Sequence, residues 1–376
     1  MMVARTTAWR GEPADAYERW AALEARAAEE LDAALERAAS EIRSGGGELA
    51  ARLAAIDLPA AVPPGGARAP STPVPTRLLS AAERDRENRA RLAADLTATS
   101  PGSRRRMLET IDARLRELGS GGETVQLFEY DPDAFGGDGA VAVAIGDLDT
   151  ARAIGVVVPG MGTTAASIGA VTRNAANLQV AARRADPTTA TATLAWIGYD
   201  APSGRAAVAQ VLTGAHARRG AAELRADLAD LARMRSDDPR VVVFGHSYGA
   251  TTVATAGAGG ALAGTVDAMV LLGSPGAGPV RSAAELGMPV YVARDSDDPI
   301  PRVGATDRAA QGLRRWFGVE LGLGADPAAP SFGATAVDAE GSTSFGMGAH
   351  SGYFDEGSRA LDAFAAILTR GGIDAR

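Results

Sequence analysis

Residues 241–257 read VVVFGHSYGATTVATAG and centre a serine in a G-x-S-x-G pentapeptide, Gly245-His246-Ser247-Tyr248-Gly249. A valine-rich run precedes it and a run of small residues follows, so the pentapeptide is expected at a sharp strand-to-helix turn. Glycine two residues to either side allows a turn too tight for larger side chains. The hydroxyl then stands at a helix N-terminus, where backbone N–H groups favour developing negative charge. Those are the requirements of an acyl-transfer nucleophile; the plain alternative is a purely structural tight turn. Such a serine needs a base, and the chain holds three imidazoles, His216, His246 and His350. His246 adjoins Ser247 and is expected to pack or hydrogen-bond within the elbow. His216, in GAHARRG, reads as an inter-helix loop residue upstream of the serine. His350, in the glycine-rich loop FGMGAHSGYF, follows the last candidate strand and fits the chain order Ser, Asp, His. The acid is sought after PVYVA (289–293), where ARDSDDPIP offers Asp295, Asp297 and Asp298. The Asp298-Pro299-Ile300 turn favours Asp298, with Asp295, nearer the strand end, as the alternative. Two N–H donors complete an oxyanion hole. Tyr248 is expected to supply one, and Met161, in the loop Pro159-Gly160-Met161-Gly162, the other.

The composition narrows the chemistry in the same direction. The 376 residues include no cysteine and, read along the chain, no lysine, so all 38 basic residues are arginine. Thiol nucleophiles, thiolate metal sites, Schiff bases, Walker lysines and Ser–Lys dyads are thereby excluded. No two histidines stand at the i, i+4 spacing of a zinc-binding helix. Few catalytic systems survive these exclusions, the Ser–His–acid triad being the best known, and it requires no metal or organic cofactor. A net charge of −8 argues against nucleic acid as a partner. The hydrophobic fraction, 46 %, supports a large packed core. No apolar run approaches the roughly 20 residues that span a bilayer. The first thirty residues carry charges almost throughout and lack a signal-peptide core. A cytoplasmic location is the expectation, with signal-peptide-independent export as the alternative.

The elements that must position these residues follow from periodicity. β-rich runs occur at 124–130, 140–146, 153–159, 193–198, 241–245, 267–273 and 289–293, with a last one at 332–339. Helical stretches lie around 80–97, 101–118, 165–183, 206–234 and 247–262, and EGSRALDAFAAILTR closes the chain. The valine-rich runs lack alternation, as parallel strands buried on both faces do. Early hairpin-like strands followed by strand–helix repeats predict an α/β fold with a mostly parallel sheet flanked by helices. The Arg104-Arg105-Arg106 run is expected on a solvated helix face. Upstream, residues 12–43 form an amphipathic helical pattern with Leu23, Leu31, Leu35 and Ile42 on its apolar stripe. The stretch PAAVPPGGARAPSTPVP (59–75) reads as a linker. The expected division is therefore a helical extension with a Pro-rich linker over 1–75 and a catalytic domain over 76–376.

In order and at compatible spacing, WIGYDAP (196–202), FGHSYGATTV (244–253), LLGSPGAG (271–278), the Asp-Pro-Ile turn and AHSGYF (349–354) resemble one actinobacterial α/β-hydrolase family of unknown function. RDRENRARLAADL (84–96) and AVAVAIGDLDTARAIGVVVPGMGTT (140–164) extend the resemblance to roughly residues 80–365. It implies the α/β-hydrolase fold and a Ser247, Asp298, His350 triad, and it supplies no substrate. Trp9-Arg10-Gly11 ahead of the first helix, with Tyr17 and Trp20, resembles half of a WXG-type helical hairpin. The expected function is hydrolysis of a carboxylic ester, or else a thioester or amide, of small-molecule or lipid-like character. The rival reading is a hydrolase-like scaffold that binds a helical partner, or a second copy of itself, through residues 12–43.

Overall fold

The computed structural model describes residues 79–204, 207, 210–211, 214–301, 323–340 and 346–373. All of them belong to the second of the chain's two units, Ala61–Arg376. The 12–43 helix, the Pro-rich stretch and the Trp9-Arg10-Gly11 motif lie outside the described residues.

Eight strands form one sheet: β1 (Val125–Asp131), β2 (Ala140–Ile145), β3 (Ala153–Val158), β4 (Thr191–Ile197), β5 (Arg240–His246), β6 (Ala268–Leu272), β7 (Val290–Ala293) and β8 (Thr335–Val337). Their order across the sheet is β1-β2-β4-β3-β5-β6-β7-β8. The β1–β2 and β2–β4 pairs are antiparallel, and every later pair is parallel. The described helices are α1 (Ala81–Ala98), α2 (Ser103–Gly119), α3 (Ile168–Ala185), α4 (Ala215–Met234), α5 (Tyr248–Gly257), α6 (Met347–Ser351) and α7 (Arg359–Arg370). This is the α/β-hydrolase fold.

The strands lack polar–apolar alternation because both faces are covered. Val242 and Phe244 of β5 join one core with residues of α3 and α7. Val241 and Val243 join a second core on the opposite face, with residues of α4 and α5. Helix α1 is fixed at its N-terminus and along its length. Ser80 and Glu83 form a reciprocal capping box, and Asp149 accepts the N–H groups of Ala81 and Ala82 at 2.7 and 2.9 Å. Asn88 then donates to the carbonyls of Leu127 and Phe128, tying α1 to β1.

Several boundaries differ from the periodicity reading. The helix expected over 206–234 is interrupted at Gly214, whose φ of 60° no helix accommodates, so α4 starts at Ala215. His216 therefore lies in the first turn of a helix and is buried, where an inter-helix loop was expected. His350 also lies in a short helix, α6, in place of a loop. Strand β8 is only three residues long, since a 3₁₀ turn at Pro330–Phe332 and Gly333 at φ 80° precede it. The arginine run is not wholly solvated: Arg104 pairs with Asp133, and Arg105 reaches Glu109 and the Leu96 carbonyl.

Candidate active site

Ser247 caps β5 and opens α5 with φ 56° and ψ −129°. It is one of three described non-glycine residues with positive φ. A conformation of that kind costs on the order of 1–3 kcal/mol and persists only where the surroundings enforce it. The surroundings here are close. A side-chain carbon on Gly245 would come within 2.7 Å of the Ala250 Cα, and one on Gly249 within 2.4 Å of the Val158 and Pro159 carbonyls. The Ser247 N–H is held by the Leu272 carbonyl of β6 at 2.9 Å. Its side chain is left half-buried at the C-terminal edge of the sheet.

The loop after β3 lies against this serine because Val158 is in register with Gly245. Gly160 is pressed so near that an added Cβ would stand 2.7 Å from the Ser247 Cβ and 3.0 Å from its Oγ. Tyr199 donates to the Pro159 carbonyl at 2.8 Å, and the Gly162 N–H bonds to the Pro202 carbonyl at 2.8 Å, pinning Met161 between them. The Tyr248 ring turns inward, its hydroxyl accepting the Ala217 N–H at 3.0 Å. Burial raises that phenol to about 12.

His350 and Asp298 meet on the far side of β6. The His350 Nδ1 lies 2.8 Å from the Asp298 Oδ2, and both residues are 1 % exposed. Burial works against ionisation of Asp298. Hydrogen bonds from His350, from Tyr353 and from the Ile300 N–H outweigh it and hold the carboxyl below its ordinary value. An ionised carboxylate only accepts, so Nδ1 carries the imidazole hydrogen and Nε2 keeps a lone pair. Gly273, at φ 55°, makes room for the pair: a Cβ there would lie 2.9 Å from both the Asp298 Oδ2 and the His350 ring. Asp295 folds the turn before Asp298. Its Oδ1 accepts the Asp297 N–H at 2.8 Å and its carbonyl accepts the Asp298 N–H at 3.2 Å, folding the turn that presents Asp298. No hydrogen bond joins Ser247 Oγ to His350 among the described residues, as is frequent in ligand-free sites of this kind.

Two residues whose contacts to the Asp298–His350 pair the sequence did not indicate complete the arrangement. His246 does not bond within the elbow; its Nε2 donates to the carbonyl of His350 at 2.8 Å, and the two rings lie 4.6 Å apart. Burial, and then the neighbouring His350 ring, drive the His246 imidazole down to about 3, so it is neutral. Tyr353 donates to the Asp298 Oδ2 at 2.7 Å. The only sequence signal for it is the i, i+3 spacing of His350 and Tyr353. Phe354 packs on Phe244 and Phe364, at 6.3 and 5.4 Å between ring centroids, and anchors the segment that carries His350. No cluster of three or more His, Asp or Glu able to hold a metal ion occurs among the described residues.

Comparison with known proteins agrees with this architecture. The alpha/beta hydrolase family model matches residues 133–307. Over 260 residues the chain is 41 % identical to the uncharacterized protein Rv2079 of Mycobacterium tuberculosis, a match covering 65 % of this chain and 39 % of that protein. The chain thus spans well under half the length of that relative. It is 32 % identical over 201 residues to the uncharacterized M. tuberculosis protein Rv0963c, covering 50 % of this chain and 73 % of that protein. Among solved structures, a hyperthermophilic esterase from the archaeon Pyrobaculum calidifontis aligns with a TM-score of 0.38 and 14 % identity, over 70 % of this chain and 92 % of that one. The chain belongs to an actinobacterial alpha/beta hydrolase family, together with these mycobacterial proteins.

Proposed function

We propose that the chain is a serine hydrolase that cleaves a carboxylic ester, with thioester or amide as related possibilities, through an acyl-enzyme on Ser247. The observation that carries this reading is the buried Asp298–His350 hydrogen bond together with a serine held at positive φ. In the first step Ser247 Oγ attacks the ester carbonyl carbon while His350 Nε2 takes the hydroxyl proton. Asp298 keeps the imidazole in the required tautomer and stabilises its positive charge. The tetrahedral oxyanion accepts from the N–H groups of Tyr248, next to the serine, and Met161, on the loop after β3. Collapse expels the alcohol, which takes its proton from Nε2. Water then attacks the acyl carbon as His350 Nε2 takes one of its protons; collapse of the second tetrahedral intermediate breaks the acyl–Oγ bond, Ser247 Oγ takes the proton back from Nε2, and the acid leaves.

The substrate is proposed as a small-molecule or lipid-like ester. Turnover of p-nitrophenyl acetate and butyrate by the full chain and by Ser247→Ala tests the reading. Loss of about 10³-fold or more in the variant is expected. Equal turnover in a folded Ser247→Ala protein would refute it and favour a scaffold role.

A further inference from the structure

We infer that Tyr353 is a positioning residue of this site, its hydroxyl fixing the Asp298 carboxylate and taking up part of its charge. The inference rests on the acyl-transfer reading and deepens it. His350 and Tyr353 are one helical turn apart, and both reach the same carboxylate oxygen: Nδ1 at 2.8 Å and the phenol oxygen at 2.7 Å from Oδ2. The direction of the phenol bond is fixed by its other partner. The Asp295 N–H donates to the Tyr353 oxygen at 3.1 Å, so the phenol accepts there and its own hydrogen goes to Asp298. Tyr353 is buried, and burial raises its ionisation far above neutral pH, so it remains a donor.

Among the described residues, the following groups face the carboxylate. His350 and Tyr353 share Oδ2, the Ile300 N–H bonds Oδ1 at 2.8 Å, and the Gly273 backbone closes the remaining face. Asp295 lies on the same turn, and the His246 ring stands 6.1 Å from the Tyr353 ring. Within this set, Tyr353 is the side chain that competes with His350 for the same oxygen. Without its donor, more of the carboxylate charge bears on the imidazole, which becomes more basic and less firmly oriented.

The test compares the full wild-type chain with Tyr353→Phe on p-nitrophenyl butyrate. A fall in kcat of about 10- to 100-fold at little changed KM is expected, the effect of losing a hydrogen bond to a charged group. The acidic limb of kcat/KM should move to higher pH, because a more basic His350 stays protonated further up the scale. A residue that merely packs would leave that limb where it is. A 3-fluorotyrosine at position 353, a stronger donor of nearly the same shape, should move the limb to lower pH. An active wild type whose limb moves in neither variant overturns the inference alone, and if the Phe variant does not fold, the fluorotyrosine result decides. A wild type that matches Ser247→Ala overturns the acyl-transfer reading and this inference with it.

Discussion

Ser247, His350 and Asp298 differ in how they are held, and their expected sensitivities differ accordingly. Asp298→Asn replaces an acceptor by a group that can present an N–H to Nδ1, holding the wrong tautomer; ester hydrolysis should fall by about 10⁴-fold with the fold retained. Asp295→Asn keeps an oxygen for the Asp297 N–H and should cost far less, on the order of tenfold or below. Steady-state kinetics of the two variants checks the order, and the reverse ranking would move the acid to Asp295. The turn at Ser247 was legible because its motif is local: five consecutive residues encode the strand-to-helix turn and the serine proposed as nucleophile. The carboxylate paired with His350 was legible only to within a turn, since Asp295 and Asp298 are separated by which oxygen each spends on its own backbone. His246 and Tyr353 escaped altogether. Their partners lie 104 residues away for the first, and on another loop for the second. No spacing rule in a single sequence reports such contacts.

The strands and loops that carry these groups are tuned by close backbone approach. Gly160 is the sharpest case, because the loop after β3 presses it against Ser247, the proposed nucleophile. Gly160→Ala must push the loop or Ser247 aside by several tenths of an ångström. It should lower kcat by about 10- to 100-fold, the cost of misplacing an oxyanion donor or the attacking oxygen. Thermal unfolding of the variant separates this from global collapse: Tm should shift by only a few degrees. The buried strands were legible from their unbroken apolar runs, and the parallel topology followed from the helices between them. Helix starts were less so. Gly214 and Gly333 end or delay elements by adopting positive φ, and nothing distinguishes them in the sequence from glycines placed for other reasons.

The sheet and its two cores also set how the fold responds to acid. His246 is held near 3 in the folded chain against an ordinary 6.5, so the unfolded chain binds one more proton between those values. Stability contributed by this group is complete above about pH 6.5 and is lost progressively as pH falls toward 3. Asp298, with its depressed carboxyl, adds a further loss below its ordinary 3.8. Urea unfolding between pH 7 and 4 should show stability declining by up to about 1.4 kcal/mol per pH unit from His246 alone. In His246→Gln that part of the slope should disappear. All eight strands and every proposed site residue lie beyond residue 78. Removal of residues 1–75 should therefore leave Ser247 reactive toward a fluorophosphonate. Absence of labelling in a truncated chain that keeps its circular dichroism spectrum would assign the N-terminal segment a part in the site. Among the described residues no helix is long and apolar enough to cross a membrane.

The central claim is that Ser247 is an activated nucleophile, and covalent trapping tests it without knowledge of the substrate. The full chain treated with a fluorophosphonate should gain one adduct by intact mass, located by peptide mapping on Ser247. Ser247→Ala should gain none, and Asp298→Asn should label more slowly by orders of magnitude. A folded wild-type chain that takes no adduct, or takes it at another serine, would contradict the account.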